Sequence, residues 1–457
     1  MTIVQQIAAY IAKKDFADMS EQAGRQIKLR ILDSLGTAIG AVQGPPVRML
    51  RNHIEEFSSA GACTLLGGGR AAPDDAALYN SALVRYLDYN DSYLAKGETC
   101  HPSDNLGAVL AAAEQAGASG RQVMLALAVA YQVQCRLSDE APVRAKGFDH
   151  TTQGAYAVAA GVSKALGLTS EKTANALAIS GTALNALRVT RTGALSHWKG
   201  LAYPYTAFGA TAATYLARQG ITGPMAVFEG NKGFQESIAG PFKIDWEHED
   251  LERVTRTIIK KYNAEVHSQA TLEGVLALQR QAGFNADQVE KIEIVTFDVA
   301  YHIIGGGEEG DKTAAIHTKE EADHSLQYMT AVALLDGQVL PAQYEPERIR
   351  RTDVQALLRK ISVQPSEAYS ARFPAEMPCH VKIHLRDDRT LEIEKTDYEG
   401  FHSRPMDWTT ACEKFESLAA PYADADVRGR IIDTVQFLEK HDARALAGLI
   451  SQVRIPG

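Results

Sequence analysis

Val381-Lys382-Ile383-His384-Leu385-Arg386-Asp387-Asp388-Arg389-Thr390-Leu391-Glu392-Ile393 decides the fold class. Val381, Ile383 and Leu385 alternate with polar residues, Asp387-Asp388 turns the chain, and Leu391 and Ile393 alternate again. That period of two, broken by a turn, is a β-hairpin. Upstream, Ile292, Ile294 and Thr296 alternate with Glu293 and Val295, which predicts a further strand. The run Gly305-Gly306-Gly307 before Glu308-Glu309 reads as a surface loop after strand structure. Two helices are expected between these strands, each opening on a capping box: Thr318 with Glu321, and Thr352 with Gln355. The first of them carries Tyr328. Strand, helix, helix, strand, strand is an α+β module of about one domain's length.

On both sides of this module the chain reads as helix. Gly107 to Ala116, Val123 to Gln134, Ala155 to Leu166, Lys172 to Ala186 and Tyr205 to Arg218 are rich in alanine and leucine. Several are apolar nearly all round, as in helices buried inside a bundle. Gly44-Pro45-Pro46, Gly67-Gly68-Gly69 and Gly220 to Pro224 supply turns. After residue 403 helical spacing returns with Trp408, Cys412, Phe415 and Leu418. This last segment is too short for its own core, so it is expected to pack on the first helices. The expected fold is mainly α with an α+β insertion. A large all-helical domain spans 1–262 and 403–457, and a smaller α+β lid domain spans 263–402.

The 457 residues are 45% hydrophobic and 23% charged, which excludes a disordered chain. Aromatic residues are only 7%, and abundant alanine and glycine predict close helix packing. The net charge of −9 and the lack of a basic tract argue against nucleic acid or an anionic membrane surface as partner. They do not argue against a small anion in a locally positive pocket. No apolar run approaches a membrane span, the longest being Met124 to Val133, and no secretory signal is visible. The five cysteines, Cys63, Cys100, Cys135, Cys379 and Cys412, are widely spaced with no CxxC pair. A reduced cytoplasmic setting follows most simply. P-loop, HExxH, GxSxG and dinucleotide patterns are absent.

The residues suited to chemistry lie in a few stretches. Leu87-Asp88-Tyr89-Asn90-Asp91-Ser92 is followed by His101-Pro102-Ser103-Asp104-Asn105-Leu106-Gly107. Pro102 keeps His101 out of regular helix, and Ser103 or Asp104 would cap the next helix. A histidine at a helix start suits an anion; solvated acids at a helix end are the alternative reading of Asp88 and Asp91. His150 stands either as a functional imidazole or as a helix cap. Its neighbour Asp149 is adjacent in sequence and so need not orient the ring. Arg188, Arg191, His197 and Lys199 form a basic cluster around Thr190-Arg191-Thr192-Gly193-Ala194, suited to carboxylates. Lys260-Lys261-Tyr262-Asn263-Ala264-Glu265-Val266-His267 sits at the expected domain boundary; a charged helix end is the alternative. Tyr328 is either functional or a half-buried core tyrosine. Together these side chains suit proton abstraction beside a carboxylate and protonation of a leaving group. A non-catalytic carboxylate-binding protein is the alternative class.

The two stretches at 87–92 and 101–107 resemble the signature of the MmgE/PrpD family. Ala186-Leu187-Arg188 through Lys199, Ala264-Glu265-Val266-His267-Ser268-Gln269, and Asp323-His324-Ser325-Leu326-Gln327-Tyr328 with Leu334-Leu335-Asp336-Gly337 agree in order. The family includes 2-methylcitrate dehydratase, cis-aconitate decarboxylase and iminodisuccinate epimerase. The resemblance implies a homodimeric lyase without metal or cofactor, acting on a small tricarboxylate. Dehydration of 2-methylcitrate or a close tricarboxylate such as citrate is the first expectation. Decarboxylation of cis-aconitate and epimerisation of an amino-dicarboxylate are the alternatives. His101, His150, Asp88 and Tyr328 are the catalytic candidates it implies. Ser92, Lys199, Lys260, Arg188 and Asp91 are the substrate-binding candidates. Ser92 stands where the family often has threonine. Asn263 replaces the family's proline, so Lys260 and Lys261 compete for the pocket lysine, with Lys260 preferred.

Overall fold

The computed structural model describes residues 1–58, 61–192, 195–307, 311–313 and 316–456. The chain forms two compact units. One comprises Met1–Arg191, His197–Ile258 and Asp407–Gly457; the other comprises Thr192–Ser196 and Ile259–Met406. Among the described residues no helix is long and apolar enough to cross a membrane.

The first unit is helical, and its core follows from small side chains. Pro73–Tyr86 packs on Trp198–Gln219 and on Leu106–Ala116, and Gly120–Glu140 packs on Thr151–Ala165. Leu106–Ala116 and Thr151–Ala165 are buried over almost their whole length. The five alanine-rich stretches singled out in the sequence all lie on helices of this unit, with ends displaced by up to seven residues. At Gly107 an added Cβ would sit 2.4 Å from the backbone nitrogen of Ser81. At Gly154 it would sit 2.5 Å from the Tyr203 ring. Helices approach this closely only where a side chain is missing.

The helix Trp408–Ala419 packs against Glu21–Gly40, with Phe415 over Gly36. A buried cation fixes the register. Lys414 Nζ lies 2.6 Å from Asp33 Oδ1, donates to Tyr89 O at 2.9 Å, and sits 3.7 Å from the Tyr89 ring centroid. Burial raises the Asp33 carboxyl, and Lys414 opposes that shift.

The second unit contains a four-stranded sheet in the order Ile361–Pro365, Val289–Thr296, Cys379–Leu385, Thr390–Lys395. The first pair is parallel and the other two antiparallel. The expected hairpin is present, with Ile383 opposite Leu391 and Val381 opposite Ile393. Its turn places Asp388 at φ 65°, a left-handed conformation that Asp tolerates. The helix Gln269–Ala282 covers the hairpin, with Gly274 against Ile393.

Four sequence expectations need correction here. Ile361–Pro365 is a strand that the hydropathy pattern did not reveal; it is an edge strand of five residues with only Ile361 and Val363 buried. Thr318 with Glu321 forms the expected capping box, but that helix ends at Ala322. Tyr328 lies on a separate helix, Leu326–Asp336, capped by Ser325. Thr352 caps nothing: the cap position is Arg351, and the Gln355 amide donates to Ile316 O and Ile349 O instead. Gly305 ends a short helical turn, Tyr301–Gly305, rather than a strand. Glu308 and Glu309 lie outside the described residues.

Gly107→Ala is expected to destabilise the protein by roughly 2–3 kcal/mol or more, because the Cβ meets backbone. Gly429→Ala, in the helix Ala425–Gln436 where an added Cβ meets nothing within 4 Å, should be neutral or stabilising by up to about 1 kcal/mol. Urea unfolding of both variants checks the contrast. Equal effects would refute the close-approach argument.

Candidate active site

The stretches 87–92 and 101–107 meet in the first unit through buried hydrogen bonds. A hairpin of Tyr93–Ala95 and Glu98–Cys100 returns the chain, so His101 stands close to Asp91 and Ser92. Asp91 Oδ1 accepts from Ser103 N at 3.0 Å, and Oδ2 accepts from the Tyr131 hydroxyl at 2.7 Å. Asn90 Nδ2 donates to Ser103 Oγ at 2.9 Å and to Asp104 Oδ1 at 2.8 Å. Asp88 and Asp91 are buried, not solvated acids. Burial raises the Asp91 carboxyl, opposed by its hydrogen bonds and by Arg30. Burial also pushes Asp104 up, to about 7, with Arg85 pulling it down. Neither Ser103 nor Asp104 caps the helix Leu106–Ala116. The cap position is Asn105, whose side chain reaches Pro102 O, Gln134 and the Tyr203 hydroxyl instead.

Asp88 follows the helix Pro73–Tyr86 with φ 54°, in the left-handed region. Few non-glycine residues adopt that conformation, and a buried one is held there by its surroundings. Arg85 Nη1 donates to Asp88 Oδ1 at 2.8 Å and to Asn90 Oδ1 at 3.1 Å. Lys199 Nζ lies 3.5 Å from Asp88 Oδ2. A buried carboxylate is thus framed by two cations.

His101 Nδ1 lies 2.8 Å from Asp91 O and 3.1 Å from Ser92 Oγ. A carbonyl only accepts, so Nδ1 carries hydrogen. Ser92 itself is fixed by backbone bonds to Ile258 in both directions. The His101 and His150 rings lie edge to face, 5.5 Å between centroids, and His150 stacks on Tyr203 at 6.1 Å.

Asp149 orients His150, which corrects the sequence expectation. Its Oδ1 lies 3.0 Å from His150 Nδ1. Adjacency in sequence is no obstacle, because His150 opens the helix Thr151–Ala165 with a turn that brings the two side chains together. His150 makes no capping hydrogen bond, so the helix-cap alternative does not hold either. Arg191 Nε donates to Asp149 Oδ2 at 2.5 Å. Burial alone would raise the Asp149 carboxyl, but Arg191 and His150 outweigh it and hold the group well below its usual range. Burial lowers the His150 imidazole to about 4, with Asp149 opposing and Arg191 assisting. His150 is therefore neutral near pH 7.

Elsewhere in the basic stretch, Arg188 is half-buried and donates its backbone N–H to Gly147 O. His197 is exposed at the start of Trp198–Gln219. Gly193 and Ala194 lie outside the described residues.

The second unit holds Lys260 and Tyr328. Lys260 is fully buried in irregular chain, not at a helix end. Lys261 is partly exposed and pairs with Glu399 at 2.5 Å. The Tyr328 side chain is fully buried; its hydroxyl donates to Gln343 O, and burial raises it. Two further buried carboxylate–imidazole pairs occur among the described residues of this unit. Glu265 Oε1 lies 2.8 Å from His267 Nδ1, and Asp323 Oδ1 lies 2.6 Å from His324 Nδ1. Burial would raise Glu265, but His267, His324 and Lys260 hold it down at about 2. Sequence reasoning did not single out Arg85, Asn90 or Tyr203 as parts of a site, because their role depends on which segments the fold brings together.

Comparison with known proteins shows the family. The profile of the MmgE/PrpD N-terminal domain matches residues 5–247, and that of the MmgE/PrpD C-terminal domain matches residues 262–440. The chain belongs to the MmgE/PrpD family. It is 30% identical over 376 residues to 2-methylcitrate dehydratase of Escherichia coli, covering 75% of this chain and 74% of that one. A mitochondrial 2-methylcitrate dehydratase of Yarrowia lipolytica is 26% identical over 427 residues, 88% of this chain and 80% of the relative. Cis-aconitate decarboxylase of Mus musculus is 26% identical over 441 residues, 91% and 86% of the two chains.

The depressed His150 imidazole makes stability depend on pH. The unfolded chain binds a proton near pH 6.5 and the folded chain only near 4, so stability is lost as pH falls through that window. Between pH 7 and 4.5 the wild type should lose about 2–3 kcal/mol more than His150→Gln. Urea titrations at both pH values measure this double difference; a value near zero would contradict the neutral imidazole.

Proposed function

We propose that the protein is a hydro-lyase that dehydrates 2-methylcitrate or a close tricarboxylate such as citrate by acid/base catalysis without a metal. It is an enzyme of the lyase kind to which its dehydratase and decarboxylase relatives belong. The observation that carries the reading is the pair of buried imidazoles, His101 and His150, with ring centroids 5.5 Å apart, in the unit that also buries the Asp88 carboxylate between Arg85 and Lys199. Dehydration needs one group to take a proton from carbon and another to give one to the departing hydroxyl. Two imidazoles side by side suit that exchange. Cations suit the substrate's carboxylates and the negative charge that grows during proton loss.

In this reading Lys199, Arg188 and Lys260 bind carboxylates. Lys260 is favoured over Lys261 because the latter's ammonium is engaged by Glu399. Ser92 and Tyr328 orient the hydroxyl or a carboxylate. Tyr328 does so through its oxygen lone pairs, since its proton is given to Gln343 O. Asp88 orients Lys199. Asp91 acts at one remove, because both of its oxygens already accept from Ser103 and Tyr131. A helical domain of residues 1–262 and 403–457 with an α+β lid domain of residues 263–402 is part of the same proposal. A cytoplasmic homodimer belongs to the same proposal.

Ultraviolet detection of the unsaturated product, with chelator-treated enzyme and 2-methylcitrate or citrate, tests the reading. Turnover is expected to survive chelation, and complete loss would end the metal-free part. His101→Ala and Lys199→Ala should each lower kcat/KM on the order of 10²–10³-fold. Unchanged turnover in both would leave only a binding role. Feeding cis-aconitate and seeking itaconate by mass spectrometry separates the decarboxylase alternative. Isomerisation without loss of water or carbon dioxide would mark an epimerase.

A further inference from the structure

We propose that Asp149 is a positioning residue that fixes His150 as the Nδ1–H tautomer, leaving Nε2 as the proton-accepting atom, and that Arg191 holds Asp149 in that role. The proposal rests on the hydro-lyase reading and assigns the order of the two histidines. His150 Nε2 takes the proton from the substrate carbon, and the C–H electron pair becomes the second bond of the new alkene. The C–O bond breaks with its electrons on oxygen. His101, entering as imidazolium, gives its Nε2 proton to that oxygen, which leaves as water.

The hydrogen-bond inventory around Asp149 leaves little freedom. Oδ1 accepts from Thr151 N at 3.1 Å and faces His150 Nδ1 at 3.0 Å; Oδ2 accepts from Arg191 Nε at 2.5 Å. Arg191 Nη2 reaches Oδ1 at 3.4 Å, and Nη1 donates to Lys199 O at 3.4 Å. An ionised carboxylate has no proton to share, so the hydrogen between Asp149 and His150 is on Nδ1. His150 Nε2 is buried and makes no hydrogen bond among the described residues. It is an acceptor kept for something else. Arg85, Tyr203 and His101 are further groups near this ring. Arg85 and Arg191 both favour the neutral ring, as a base at neutral pH requires.

The Asp149 anchor suits His150 to the role of base. A base gains positive charge as it takes the proton, and the Asp149 carboxylate stabilises that charge where it develops.

Imidazole ¹⁵N NMR of the unliganded protein reads the tautomer directly. At pH 7 wild-type His150 is expected to be neutral with hydrogen on Nδ1. In Asp149→Asn, Arg191 can only donate and therefore claims the single amide oxygen. The amide NH₂ then faces Nδ1, and the ring proton moves to Nε2. The variant should lose on the order of 10²–10⁴-fold in kcat with KM within about threefold. Wild-type His150 carrying hydrogen on Nε2, or charged at pH 7, would overturn the proposal; so would wild-type kcat in Asp149→Asn. If that variant does not fold, the wild-type spectrum alone decides. Failure of the hydro-lyase reading looks different: the Nδ1–H tautomer would be present while the wild type turned over no tricarboxylate.

Discussion

The Asp91 carboxylate is the point on which the arrangement of the first unit depends. It is fully buried, and a bare carboxylate in that place would be severely unfavourable. Its two oxygens take Ser103 N–H and the Tyr131 hydroxyl, so one side chain ties the 87–92 loop, the 101–105 turn and the helix Gly120–Glu140 together. The backbone carbonyl of the same residue accepts from His101 Nδ1. Asp91 thus places both the loop that carries Asp88 and the ring of His101. Removing the carboxylate would strand a buried hydroxyl and a buried N–H at once, which couples site geometry to fold stability.

Buried charge recurs at a second level. Lys414 comes from the Trp408–Ala419 helix, yet its ammonium ends on Tyr89 O and Asp33, beside the left-handed Asp88. The segment that returns late in the chain therefore supports the most strained residue of the loop. Small residues make this possible: Gly36 lets Phe415 lie against the helix Glu21–Gly40, and Gly107 lets the site helix lie against Ser81. Close packing leaves little room for water, and the polar groups have to satisfy one another.

Much of this was legible in the sequence, and the failures have physical causes. Period-two alternation at 381–393 and alanine-rich helical stretches report local burial, and both appear in the structure. The strand Ile361–Pro365 lacked a signal because an edge strand with one face exposed buries few side chains. Thr352 with Gln355 matched a capping pattern, but a pattern cannot tell the cap from the first helical residue. The residues at 87–92 and 101–107 stood out by type, and the fold explains their proximity through the short hairpin between them. Arg85 and Tyr203 did not stand out, because an arginine and a tyrosine on long helices look like any others until packing aims them inward.

Asp149 is the most instructive case. The sequence shows it beside His150, where adjacency alone need not make it orient the ring. That holds in a strand, where successive side chains alternate faces. It fails at the first turn of a helix, where unsatisfied N–H groups draw an acidic side chain back along the chain. Asp149 accepts from Thr151 N for that reason, and the same oxygen then meets His150 Nδ1. A helix start thus serves two ends with one carboxylate. It accepts the first N–H of the Thr151–Ala165 helix and sets the tautomer of the imidazole that opens it. Arg191 makes the arrangement stable by keeping the carboxylate ionised in a buried place. The chemistry of the site is in this respect a consequence of how a buried helix satisfies its own N-terminus.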